Sequence, residues 1–249
     1  MVTLGLKVRY SWLMRRFKTP SVRPFGRTPL LLCLLVLSST PATPQSGNPE
    51  LDRAAAGWDE VFRRMQAPEI DPSNSFTAYC TERLMREHKL EPGAAAMVLA
   101  MGDGRNALYL ADLGLKVTGI DISSVGLEKA RQAAAERDLQ IEAIQADLFK
   151  YDLGRESWDL VTNVYYNPAI FVFDRIKASV RSGGFLLVEG YGSEYTGSGP
   201  APETRYGPNH LLVQLLDWRI LEYQDGIFPS DWADQRTVPV VRILAQKPR

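Results

Sequence analysis

The sequence predicts an α/β fold: a doubly wound, mostly parallel seven-stranded sheet with helices on both faces and an antiparallel strand at one edge. Three observations carry this. Short apolar runs alternate with segments of helical spacing from Ala95 to Glu189, a glycine cluster closes the first apolar run, and two strand-like segments follow one another at the end. Alternation of strand and helix implies parallel βαβ units whose strands are covered on both sides.

Leu51 to Met65 and Phe76 to His88 show apolar residues at helical spacing, with Ser75 placed to cap the second, and Pro92-Gly93 then interrupts the chain. Ala95 to Ala100 reads as a first strand, and Arg105 to Leu113 as a helix that Gly114 stops. The cycle repeats with a strand at Lys116 to Asp121, a helix from Ser123 to Arg137 capped by Ser123, and a strand at Ile141 to Gln145. Trp158 to Val164 and Gly184 to Glu189 are the fourth and fifth strands, with a helix from Pro168 to Val180 between them. After a short helix near Pro208 to Leu216, Trp218 to Tyr223 and Val238 to Ala245 close the sheet across a connection of about fourteen residues containing Gly226 and Pro229.

Ahead of this region the chain reads differently. Lys7, Arg9, Arg15, Arg16, Lys18, Arg23 and Arg27 stand among the first 27 residues without an acidic partner, and an apolar run from Pro29 to Val36 and Leu37 and then small residues follow. That is the order of a signal peptide, and the apolar run is too short for a membrane span, which needs about 20 residues. Arg15-Arg16 loosely resembles a twin-arginine export signal; an ordinary secretory signal and an upstream start codon are the other readings, the first two placing the protein outside the cytoplasm and the last inside it. Ser38 to Pro49 is rich in Ser, Thr, Pro and Gln and reads as a linker. The expected division is a leader and linker over 1–45 and one domain over 46–249.

Lys plus Arg and Asp plus Glu balance at 29 each, so no global positive field gathers nucleic acid, and a small-molecule partner is expected. Cys33 and Cys80 with His88 and His210 give no metal-ligand spacing, and no metal is expected. Neither histidine has a recognisable catalytic partner.

Gly102-Asp103-Gly104-Arg105-Asn106-Ala107 lies between the first strand and its helix, where backbone amides face a ligand at the positive end of the helix. Asp121 ends the second strand 19 residues after Gly102, where a carboxylate can accept both hydroxyls of a ribose. These two features suit a dinucleotide such as NAD as well as other adenosyl cofactors.

The wider sequence resembles the class I S-adenosylmethionine-dependent methyltransferases, nearest the small-molecule branch with tellurite-resistance and thiol methyltransferases. The resemblance runs through Gly102 to Ala111, Val117 to Ser123, Ala146-Asp147-Leu148, Trp158 to Val161 and Arg242 to Pro248, and Trp58-Asp59-Glu60 resembles the start of the family's N-terminal helical cap. It implies a Rossmann-like fold, S-adenosylmethionine as cofactor, and methyl transfer to a small-molecule acceptor. It also implies that Gly102, Asp103, Gly104, Asn106, Asp121, Ile122, Asp147, Leu148 and Asn163 bind the cofactor, with the adenine beside Asp147. Two positions depart from the family: Ala100 stands where a glycine is usual, and Val98 where an acidic residue commonly helps hold the methionine amino group, a role for which Asp103 is the nearest substitute. An NAD-dependent oxidoreductase and a non-catalytic descendant of methyltransferases are the competing readings.

Methyl transfer from a sulfonium to a nucleophilic acceptor rests on positioning more than on acid–base groups, so no catalytic residue is singled out. Tyr165, Tyr166 and Asn167, just past the fourth strand, are the expected edge of the acceptor pocket, with aromatic packing the alternative for the tyrosines. Glu189, Tyr191 and Tyr195 lead into a Gly/Ser/Pro-rich loop that reads as a lid or as a disordered loop.

Overall fold

The computed structural model describes residues 48–65, 73–233 and 236–249. The expected leader and most of the linker lie outside the described residues. The exception is the end of the linker: Asn48 and Pro49 begin a helix, because the Asn48 side chain accepts from the Glu50 amide at 3.1 Å and proline suits the first helical turn.

That helix, α1 (Pro49–Arg64), is followed by α2 (Ser75–Arg86), β1 (Ala95–Leu99), α3 (Arg105–Asp112), β2 (Lys116–Asp121), α4 (Ser124–Ala135), β3 (Ile141–Gln145) and β4 (Trp158–Val164). A 3₁₀ turn (Asn167–Val172) leads into α5 (Phe173–Ser179), then β5 (Val180–Tyr191), α6 (His210–Gln214), β6 (Arg219–Pro229) and β7 (Thr237–Gln246). The strands form a seven-stranded sheet in the order β3-β2-β1-β4-β5-β7-β6. β3, β2, β1, β4 and β5 pair in parallel, and β7 runs antiparallel to both β5 and the edge strand β6.

Alternation along the central strands divides the core in two. Leu160, Phe185, Leu187 and Leu244 face Phe76, Cys80 and Leu84 of α2, while Val161, Leu186, Val188 and Ile243 face Phe173, Ile176 and Leu211 on the other side. Both faces are therefore buried, as a doubly wound sheet requires.

Four local expectations are corrected. Asn74, not Ser75, caps α2: its Oδ1 accepts from the Thr77 amide at 2.8 Å, and Ser75 is the first helical residue. The helix before β5 ends at Ser179, and β5 starts at Val180, which pairs with Trp158; the positive φ of Gly183 then turns the strand. The helix expected from Pro168 opens as the 3₁₀ turn. Gly226 and Pro229 belong to β6 rather than to a long connection, and Pro229 fits there because β6 is an edge strand.

Candidate functional site

The C-terminal ends of β1, β2 and β4 and the start of α3 meet at a pocket of about 870 Å³, partly open to solvent. The turn after β1 is shaped by backbone geometry. Gly102 (φ +59°) and Gly104 (φ +90°) occupy the left-handed region, and a side chain on Gly104 would lie 2.6 Å from the Ala130 Cβ, so glycine lets α3 pack against α4. Ala100 also has a positive φ of 49°, a strained conformation at the position where the methyltransferase pattern has glycine.

Asp121 is buried at the end of β2 and joins the two loops that bound the pocket. Its Oδ2 accepts from the Gly102 amide and its Oδ1 from the Ser123 amide, both at 2.8 Å. Burial raises its pKa to about 6, against the lowering effect of these amides. Asp103, also buried and on the pocket wall, is shifted upward by burial as well, with Arg105 pulling the other way.

Helix α1 covers this floor. Asp59, buried on its inner face, accepts from the Ser123 hydroxyl at 2.6 Å and the Val125 amide at 3.1 Å, placing a negative charge at the N-terminus of α4. Phe62 lies so close over Gly102 that a Cβ there would meet its Cζ at 2.8 Å, and it stacks on Trp58 with centroids 5.8 Å apart.

Of the residues expected at the cofactor, Gly102, Asp103, Asn106, Asp121, Ile122 and Leu148 line the pocket. Gly104, Asp147 and Asn163 are not part of its lining. Asp147 turns the chain after β3 by accepting from the Phe149 amide at 2.9 Å, and the Asn163 side-chain amide donates to the Tyr166 carbonyl at 3.2 Å.

Tyr165 and Tyr166 also line the pocket, whereas Asn167 is fully buried away from it. The Asn167 amide donates to the Tyr191 carbonyl at 2.9 Å and accepts from the Tyr191 amide at 3.1 Å, tying the turn after β4 to the end of β5. Tyr165 has a positive φ of 59°, and burial beside Glu189 pushes its hydroxyl pKa upward, so it remains protonated.

The loop after β5 packs back on the strand it leaves and on α1. Tyr195 stacks on Tyr191 at 4.0 Å, Ser193 donates its amide to the Tyr206 carbonyl, and Ala201 packs against Leu51 and Ala54 of α1. Glu189 is fully buried and pairs with Arg242 at 2.9 Å.

Sequence reasoning missed Trp232, which reaches the pocket from a 3₁₀ turn (Asp231–Ala233) between β6 and β7. It also missed that Trp58 and Phe62 are pocket walls. A tryptophan in a loop after the last helix carries no local mark of its destination. His88 is exposed and lies outside the pocket, as does the half-buried His210, and no cluster of metal-binding side chains occurs among the described residues. Nor is any described helix long and apolar enough to cross a membrane.

Comparison with known proteins agrees with this geometry. Residues 96–184 match the methyltransferase domain family model. The chain is 33% identical over 131 residues to ribosomal protein L11 methyltransferase of Cupriavidus necator, covering 49% of this chain and 42% of that protein. It is 25% identical over 166 residues to hemagglutinin 1 of Eikenella corrodens, covering 60% and 53%. The chain thus spans about half the length of the curated relatives it matches.

Two solved structures share the fold. TehB of Haemophilus influenzae superposes with a TM-score of 0.54 at 19% identity, covering 67% of this chain and 62% of that one. A SAM-dependent methyltransferase of Aquifex aeolicus gives 0.53 at 18%, covering 76% and 97%. The stretch that matches the methyltransferase domain model, residues 96–184, holds both the glycine turn and the β2 carboxylate, and the sheet around it has the fold of these methyltransferase structures.

Proposed function

We propose that this pocket binds S-adenosylmethionine and that the protein transfers its methyl group to a small-molecule acceptor. The observation that carries the reading is the convergence of Gly102, Asp121 and Leu148 on one pocket from the ends of three neighbouring parallel strands, the place where open α/β sheets bind ligands.

The residues present fit the cofactor. Asp121 accepts from the Gly102 and Ser123 amides at 2.8 Å and also interacts with the Ile122 amide, and the two carboxylate oxygens, with about four lone-pair sites between them, keep acceptor capacity for ribose hydroxyls. Ile122 and Leu148 offer apolar surface for the adenine, and Asp103, with Asn106 beside it, is the polar group on the wall nearest the glycine turn for the methionine end. Val98 is buried in the core against α2 rather than on the wall, so the carboxylate common in the family at this position is replaced by packing, and Asp103 takes over the charge. Gly104, Asp147 and Asn163 serve by fixing the turns that carry these groups.

When bound, the cofactor supplies a methyl group on a positively charged sulfur. The chain's own part is to hold the acceptor in line and to exclude water, and Trp58, Phe62, Tyr165 and Tyr166 do both with aromatic surface. Calorimetric titration of the full chain with S-adenosylmethionine, S-adenosylhomocysteine and NAD tests the reading. Micromolar binding of either of the first two without NAD binding is expected, and the reverse pattern overturns it.

A further inference from the structure

The rings around the pocket divide by their place in the sheet. Asp121 and Leu148 enter from the β2 and β3 side, whereas Trp232 enters from the opposite side, from the turn joining β6 and β7 beyond β5. Tyr165 and Tyr166 follow the central strand β4, and Trp58 comes down from α1. The wall opposite the ribose carboxylate is thus built from indole and phenol rings.

Trp232 is held in place by its neighbours. Asp231 Oδ2 accepts from the Asn74 side-chain amide at 2.8 Å and from the Ser75 amide at 3.0 Å. On the other side, Arg242 donates to the Pro229 carbonyl at 2.8 Å, and the buried Ser230 donates its amide to the Arg236 carbonyl at 3.1 Å. Asn74 is fully buried, and its own amide donates to the side chain of Asn106, which lines the pocket, at 2.9 Å. A continuous chain of hydrogen bonds, Asn106 to Asn74 to Asp231, therefore links the helix that follows the glycine turn to the residue next to Trp232.

We propose that Trp232, positioned by Asp231, is the acceptor-selecting residue of this pocket, and that it selects acceptors with a flat, apolar ring. This rests on the methyltransferase reading and adds the substrate class to it. The bonds fix the chain on both sides of Trp232 and so fix where its indole starts from, and an indole offers a face on which only a planar group makes full contact. A saturated molecule of equal size touches the same face at fewer atoms. The Asn106–Asn74–Asp231 chain sets the distance between this face and the glycine turn, so Asp231 is a positioning residue for the ring.

The test uses 2-naphthol and its saturated analogue decahydro-2-naphthol as probes, titrated calorimetrically into the full chain with and without saturating S-adenosylhomocysteine. The wild type is expected to bind 2-naphthol at least fivefold more tightly than the saturated analogue. Trp232→Leu, which keeps an apolar side chain but removes the flat face, is expected to abolish that preference, and Trp232→Phe to restore most of it. Asp231→Ala is expected to reduce the preference while changing S-adenosylhomocysteine affinity less than threefold; equal loss of both would mark a general structural role and overturn the positioning claim.

Equal binding of the two probes by the wild type, absence of 2-naphthol binding, or a preference that survives Trp232→Leu overturns the selection claim. Failure of the wild type to bind S-adenosylhomocysteine defeats the methyltransferase reading instead, and the probe comparison without it still decides the role of Trp232.

Discussion

Asp121 shows how one side chain can organise both loops that bound a pocket and still be titratable near neutrality. Its carboxyl is buried and has a pKa of about 6, against about 3.9 for an ordinary aspartate. Because the folded-state value is raised, the group's stability contribution is fully present below about pH 4 and is lost as pH rises through about 6, a change of about 3 kcal/mol. Under the proposed cofactor reading, binding has the opposite sign, since an ionised carboxylate can accept two ribose hydroxyls and a protonated one cannot. S-adenosylhomocysteine affinity is therefore expected to be flat above about pH 7 and to weaken up to about tenfold per unit below pH 6. Asp121→Asn should flatten that profile, and Asp121→Ala should cost about 1.5–3 kcal/mol of binding at pH 8. Calorimetry across pH checks all three, and an unchanged dissociation constant in the alanine variant would remove Asp121 from the ribose site.

Between elements, the pairing of β5 with β7 holds a deeply buried ion pair. Glu189 and Arg242 stand opposite each other in that register, both buried, and the arginine also donates to Pro229 and lies over the Phe76 and Phe228 rings. Burial pushes the Glu189 pKa upward, and Arg242 is the largest opposing influence. Removing one partner leaves a desolvated charge, so Arg242→Leu is expected to lower stability by about 3–5 kcal/mol in urea unfolding. Adding Glu189→Met should recover much of that loss. A cost below about 1 kcal/mol for the single change would show that the pair is screened by water. The same arginine bonds the Pro229 carbonyl three residues before Trp232, which ties that wall of the pocket to the antiparallel end of the sheet.

For the whole molecule, the domain is organised around a site whose roof and floor come from distant parts of the chain. Helix α1 is fastened by Asp59 to α4 and by Phe62 to Gly102, and its first turn is capped by Asn48. A chain starting at residue 46 retains all of these contacts. It is expected to unfold cooperatively and to bind S-adenosylhomocysteine within about twofold of the full chain, as read by circular dichroism and calorimetry, since the Ser/Thr/Pro-rich stretch before it lacks the apolar surface to pack. Failure of that shortened chain to fold would show that the preceding residues belong to the domain.

What the sequence determined by itself was local. β2, β3 and β4 begin and end where their apolar runs do, Ser123 caps α4, and Gly102 and Asp121 are legible as one glycine-turn-and-carboxylate unit, because each signal lies within one element or one βαβ unit. Boundaries moved where a partner decided them: β5 begins early because Trp158 is there to pair with Val180, and β6 continues through Gly226 and Pro229 because β7 lies beside it. Only the tertiary structure could bring Trp58, Phe62 and Trp232 to the pocket and send Asn167 away from it. Those residues meet, or fail to meet, through contacts between segments far apart in the chain. No spacing rule records such contacts, whereas a strand's alternation or a glycine turn is written in adjacent residues.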